Sequence, residues 1–220
     1  KGNHRHFMAK EIEEQPEVVG HTLAEYIDFS ERAVRVPEGL DFDFKSLTRL
    51  TITACGTASY AGLASKYWFE KIARLPTEVD IASEFRYREI PLSGDDLALF
   101  ISQSGETADT LASLRYCKNL GMPIGAVVNV KESTIARESD VIFPTLAGPE
   151  IGVASTKAFT TQLVALYLFA LRLAEVRGTL TKSERCAHIE ALMQLPKILE
   201  ETLKTAKQVD AATVYISVIG

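Results

Sequence analysis

Cysteine is scarce in this 220-residue chain: Cys55, Cys117 and Cys186 stand far apart, with no CxxC pair and no zinc-type spacing. A disulfide scaffold and a structural zinc site are therefore excluded, and a sparse odd set reads as reduced thiols in a cytoplasmic protein. Long apolar runs are missing too. The most apolar stretch, residues 163–171, lies between Gln162 and Arg172. It is about half of the ~18 residues that cross a bilayer and reads as a buried helix. The opening KGNHRHFMAK is basic and polar, which no signal peptide is; without an initiator Met it gives the expectation of a cut or processed chain. Positive charge is not in excess: 24 Lys and Arg stand against 29 Asp and Glu, a formal net charge of −5, which argues against nucleic acid as the main partner. Neither GxxxxGK[ST] nor GxGxxG occurs, so nucleoside triphosphate and dinucleotide readings fail.

What is present is ordinary for a globular protein, 46% hydrophobic and 24% charged. The length corresponds to about 1.5 domains. Residues 8–14 and the stretch after Pro16 read as helices, with Val19, Leu23, Tyr26 and Ile27 on one face, and the helical character is expected to run through the first ~35 residues. Short apolar runs then alternate with helical stretches. LTITA (50–54), TEVDIA (77–82), LALFI (97–101), IGAVVNV (124–130) and DVIF (140–143) read as strands. Helices are expected at 58–73, 106–120 and 155–176, with one turn at 133–137. This order predicts an α/β fold with a parallel sheet covered on both faces by right-handed crossovers. A helical tail over 182–210 is followed by ATVYISV (212–218), which reads as a further buried strand without a crossover of its own, as if the chain stopped at the start of a second βα domain.

Ligands of open parallel sheets bind beyond the carboxyl ends of the strands. Three loops lie there, all rich in hydroxyls: Cys55-Gly56-Thr57, Ser102-Gln103-Ser104-Gly105-Glu106-Thr107, and Val153-Ala154-Ser155-Thr156-Lys157. The second packs hydroxyls and a glycine between a buried strand and a helix amino end, where free N–H groups and the helix dipole favour an anion. With nucleotides excluded, a small phosphate monoester held without metal remains. The plainer alternative is that Ser104 and Thr107 only cap the helix. Lys157 reads equally as a phosphate partner or as a surface lysine, Glu106 as a general base or as a first-turn carboxylate favoured by the dipole. Cys55 reads as a nucleophile or as a small core thiol; all four histidines, His4, His6, His21 and His188, lie in the flanking segments. Residues 83–87 (SEFRY) read as a domain or subunit contact, Tyr67 and Trp68 as core.

CGT at 55–57, SQSGETADT at 102–110, AGPEIGVASTKAFTTQL at 147–163 and HFMAKEIEEQPEVV at 6–19 resemble the sugar isomerase (SIS) module of the isomerizing glutamine–fructose-6-phosphate aminotransferases, the glucosamine-6-phosphate synthases. The resemblance runs from residue 6 to about 175. It implies an SIS-type doubly wound, five-stranded parallel sheet flanked by helices, with an N-terminal helical segment (1–46), a sugar-phosphate domain (47–176), and a helical connector with the first strand of a second SIS domain (177–220). It implies a hexose 6-phosphate ligand, fructose 6-phosphate or glucosamine 6-phosphate, with the phosphate on Ser102, Gln103, Ser104 and Thr107, and with Thr57, the Val153 backbone and Ser155 facing the sugar. Many members carry Ser directly after CGT where this chain has Ala58, with Ser59 as the candidate substitute. The family's glutaminase domain, its catalytic Glu, its Schiff-base Lys and the His from a partner subunit match nothing in this chain. The expectation is thus a sugar-phosphate-binding part of a cytoplasmic, homodimeric transferase of amino-sugar biosynthesis, upstream of UDP-N-acetylglucosamine. It is inactive alone, has no cofactor, no metal, no nucleic acid and no membrane. The alternatives are a stand-alone sugar-phosphate sensor, or a deglycase or phosphosugar isomerase without glutaminase.

Overall fold

The computed structural model describes residues 4, 6–35 and 43–206. Two helices open it, α1 (Phe7–Glu13) and α2 (Gln15–Tyr26), with Pro16 in the first turn of α2, where its missing N–H breaks no bond. Helix does not continue to residue 35. The Asp28 carboxylate accepts the N–H groups of Ser30 (2.9 Å) and Glu31 (3.1 Å), an aspartate turn that competes with helix. The chain reverses there into a short antiparallel pair, β1 (Ile27–Asp28) and β2 (Ala33–Val34).

From residue 49 the chain alternates: β3 (Arg49–Ala54), α3 (Thr57–Lys71), β4 (Thr77–Ile81), α4 (Ala82–Phe85), β5 (Asp96–Ser102), α5 (Ala108–Asn119), β6 (Ile124–Val128), α6 (Thr134–Glu138), β7 (Val141–Pro144), α7 (Lys157–Arg177) and α8 (Lys182–Leu203). The five long strands form one all-parallel sheet in the order β4-β3-β5-β6-β7. This is the parallel sheet covered on both faces that the alternation predicts, and the doubly wound, five-stranded arrangement that the resemblance implies. The short helix α4 went unread because TEVDIA runs into it without a breaker. The strand expected at 212–218 lies outside the described residues.

Every residue of the central strand β5 is buried, and alternation divides them between two cores. Leu97, Leu99 and Ile101 join α2, α3, α7 and α8 on one face; Ala98 and Phe100 join Phe85 of α4, Leu114 of α5 and Ile135 of α6 on the other. Each fully buried Leu or Ile contributes roughly 1.5–3 kcal/mol. By length and composition α7 is apolar enough to cross a membrane, yet Leu166, Leu168, Leu171 and Leu173 are all buried in the core beside the sheet. It stops at Gly178 in the left-handed conformation (φ 70°). Thr181 and Glu184 then cap one another at the start of α8.

Candidate functional site

β3 and β5 are neighbours, with Ala54 level with Ile101. The helices that follow them part to opposite faces: α3 packs on α7, α5 on α4 and α6. The loops after β3 and β5 therefore diverge at one point of the sheet edge, the topological switch where doubly wound folds bind ligands. Two of the hydroxyl loops, 55–57 and 102–107, meet there.

The 102–107 loop is tightly knit. Ser102 is 3% exposed; its hydroxyl accepts the Gly105 N–H at 3.0 Å and lies 3.0 Å from the Thr107 hydroxyl. The Ser104 hydroxyl accepts the Glu106 N–H at 3.2 Å. α5 begins at Ala108, two residues later than the pattern suggests. Its N-cap is Thr107, and no side chain caps it. The plain capping role for Ser104 and Thr107 is thus not what their hydroxyls do, and the first-turn N–H groups of α5 are left for an anion or solvent. Gly105 has φ +67°, and a Cβ there would stand 1.9 Å from the Ser133 hydroxyl; only glycine fits. Gln103 is half-buried, and its carbonyl accepts the Asn129 N–H at 3.3 Å.

Glu106 is neither a poised base nor a first-turn residue. Its carboxylate accepts the Thr134 N–H at 2.7 Å at the start of α6, and the backbone hydrogen bond from Thr134 holds its pKa below the usual carboxylate range. It ties the loop to α6, as does the bond from the Ile135 N–H to the Gly105 carbonyl at 3.0 Å.

In the first loop, Gly56 turns the chain and Thr57 begins α3, half-buried. Ser59 is buried, its hydroxyl donating to the Gly56 carbonyl at 2.7 Å; this is a local turn, not a free replacement for a hydroxyl at Ala58. Cys55 is a free, half-buried thiol.

The third loop is organised by carboxylates. Glu150 accepts the N–H groups of Thr156 (2.8 Å) and Ala158 (3.2 Å), and the Ser155 hydroxyl donates to it at 3.1 Å. Neither reading of Lys157 holds: its side chain is 4% exposed and its Nζ lies 2.8 Å from Glu14 Oε2. The dipole's penalty for a cation in the first turn of α7 is offset by this ion pair with the junction between α1 and α2. Val153 is fully exposed. Among the described residues no hydrogen bond joins Val153 or Ser155 directly to the 102–107 loop. The link is Asn129, whose N–H reaches the Gln103 carbonyl, and whose side chain donates to the Gly148 carbonyl (2.8 Å) and accepts the Ala147 N–H (2.8 Å).

Asn129, Glu150 and the N-cap Ser133 were not found by sequence reasoning. Ser133 carried a signal, a serine before a helical turn; an asparagine closing a strand and a glutamate in a Gly/Pro loop carry none. Tyr67 is exposed, against expectation, whereas Trp68 packs edge-on to Tyr167 at 5.0 Å. In 83–87, Phe85 is buried, while Tyr87 is exposed with the Arg86 guanidinium 4.8 Å over its ring. An apolar groove of about 230 Å³ between α3, α7 and α8 includes Trp68, Tyr167 and His188 but no residue of the hydroxyl loops.

Comparison with known proteins fits this geometry. The SIS domain family matches residues 44–172. The glutamine–fructose-6-phosphate aminotransferase [isomerizing] of Mesorhizobium japonicum is 61% identical over 210 residues, 96% of this chain and 34% of that protein. Its namesake from Rhizobium meliloti is 62% identical over 205 residues, 93% of this chain and 34% of that protein. The C-terminal domain of glucosamine-fructose-6-phosphate aminotransferase from Francisella tularensis superposes with a TM-score of 0.93 at 41% identity, covering 98% of this chain and 60% of that one. The chain thus spans about a third of the length of the curated relatives it matches.

Proposed function

The chain belongs to the SIS domain family, and from that premise we propose that it is the sugar-phosphate-binding part of an isomerizing glutamine–fructose-6-phosphate aminotransferase. Its ligand is fructose 6-phosphate or glucosamine 6-phosphate. Ser102, Gln103, Ser104 and Thr107 hold the phosphate; Thr57, the Val153 backbone and Ser155 face the sugar. The observation that carries this reading is the uncapped amino end of α5 beside the Ser102–Thr107 hydroxyl pair at the switch point. Free N–H groups, a helix dipole and hydroxyl donors together suit a dianionic phosphate without a metal. Ser155 gives its proton to Glu150 and so meets the sugar as an acceptor.

In the whole enzyme, nitrogen from glutamine replaces the 2-oxygen of fructose 6-phosphate and isomerisation gives the aldose amine, chemistry that needs a nucleophilic amine and a proton-moving carboxylate. The carboxylates and the lysine in and beside these loops are otherwise engaged: Glu106 is bound to Thr134, Glu150 to α7, and Lys157 to Glu14. We therefore assign this chain binding, and assign turnover to the remaining length of the enzyme. The division at residues 46 and 176, a homodimer and a cytoplasmic location belong to the same reading. A thermal-shift panel tests it: fructose 6-phosphate and glucosamine 6-phosphate raise the melting temperature, while fructose and glucosamine do not. Equal shifts with and without the phosphate would overturn it.

A further inference from the structure

We propose that Glu11, on the N-terminal helix α1, is a positioning residue for the ligand-facing segment 151–155; the proposal rests on the sugar-phosphate reading of the site. The Glu11 carboxylate accepts the Ile151 N–H at 2.6 Å and the Gly152 N–H at 3.2 and 3.1 Å through its two oxygens, across 140 residues of sequence. Glu11 is 2% exposed, and among the described residues no ion pair engages it. A carboxylate buried without a cation is tolerated only where N–H donors replace its water. Two consecutive N–H groups turned onto one carboxylate make such an anion-binding concavity.

The dependence runs the other way as well. The segment has little apolar burial to hold it: Ile151 and Val153 are both exposed. Its conformation is set at two ends, by Glu150 on Thr156 and Ala158, and by Glu11 on Ile151 and Gly152. The contact at Gly152 is close enough that a Cβ there would lie 2.5 Å from Glu11 Oε2. The next residue is Val153, whose backbone the proposed function sets against the sugar. The N-terminal helix is then part of the ligand site, not only the entrance to the fold. Glu11 need touch no ligand to act; it determines where the Val153 backbone and Ser155 stand when one arrives.

The test uses the 220-residue chain with Glu11→Gln, which keeps the shape but turns an amide donor toward an N–H, and Glu11→Asp, which keeps the charge on a shorter arm. Ile189→Val in the α8 core is the stability control, and Thr107→Val reports on the phosphate loop. Fructose 6-phosphate affinity is measured by calorimetry, and hydrogen exchange is followed at the Ile151 and Gly152 amides. Glu11→Gln is expected to raise exchange at both amides and weaken affinity about tenfold, with Glu11→Asp between it and the unmodified chain and Ile189→Val unchanged. Faster exchange with affinity within about twofold of the unmodified chain would overturn the positioning role, and so would unchanged exchange. If the unmodified chain fails to bind fructose 6-phosphate, the sugar-phosphate reading falls and this role falls with it. If Thr107→Val loses affinity while Glu11→Gln does not, only this inference falls.

Discussion

The hydroxyls of Ser102, at the end of β5, and Thr107, at the head of α5, lie 3.0 Å apart across the loop between them. Ser102 is buried and already accepts the Gly105 N–H, and either hydroxyl of the pair can donate to the other. The half-buried Thr107 hydroxyl is the more accessible of the two to an incoming phosphate. Thr107→Val is therefore expected to weaken fructose 6-phosphate binding by about 1.5–3 kcal/mol, the cost of a hydrogen bond to a charged group, and Ser102→Ala by about 0.5–1.5 kcal/mol. Calorimetric titration of both variants checks the order; equal affinity in all three chains refutes it.

Gly105 carries a second prediction. An alanine there meets both positive φ and the Ser133 side chain, so Gly105→Ala is expected to cost about 3 kcal/mol in urea unfolding. Adding Ser133→Gly removes the clash but not the backbone strain. The double variant is expected to be more stable than the sum of the single losses, a coupling of at least about 1 kcal/mol. Strict additivity would show that the contact is not the cause.

Much of this fold is legible in the chain because strands such as LALFI and VIF are continuous apolar runs closed by a hydroxyl residue or a proline. LALFI reads as a buried strand whichever helix follows it. The Asp28 turn and α4 were not legible, since a single aspartate or an unbroken TEVDIASEF does not announce where helix stops or starts. The hydroxyl loops were visible as composition. What fastens them was not: Glu11 on Gly152, Lys157 on Glu14 and Asn129 between two loops are pairings across the fold. In the sequence a lysine in the first turn of a helix shows only that something must compensate it.

Glu14 gives a pH dependence of known sign. Burial raises its pKa, but hydrogen bonds and charge from Lys10 and Lys157 outweigh this and hold it below the ordinary 4.5. The unfolded chain therefore binds the proton first as pH falls. The stabilisation is complete above about pH 4.5 and is lost as pH drops through the lower folded value. Urea unfolding between pH 3 and 6 is expected to show this loss, and Lys157→Met, which removes a main partner, is expected to flatten it. An unchanged acid slope in Lys157→Met would contradict the assignment.

The cysteines separate by environment. Burial pushes the Cys117 thiol up to about 12, and its core position excludes reagent, whereas Cys55 and Cys186 are half-buried. Iodoacetamide at pH 8 followed by peptide mass spectrometry is expected to label Cys55 and Cys186 and to leave Cys117 intact until the chain is unfolded. Early labelling of Cys117 would show that the core around α5 opens in the native state.

The central claim is that phosphate is received at the amino end of α5. The most direct measurement is an amide NMR titration of the chain with fructose 6-phosphate. The account predicts that the largest shifts fall on Ser104, Gly105, Glu106, Thr107 and the first turn of α5, with smaller ones at Thr57 and Val153. Shifts centred instead on the groove of Trp68, Tyr167 and His188, with the 102–107 amides unmoved, would contradict it.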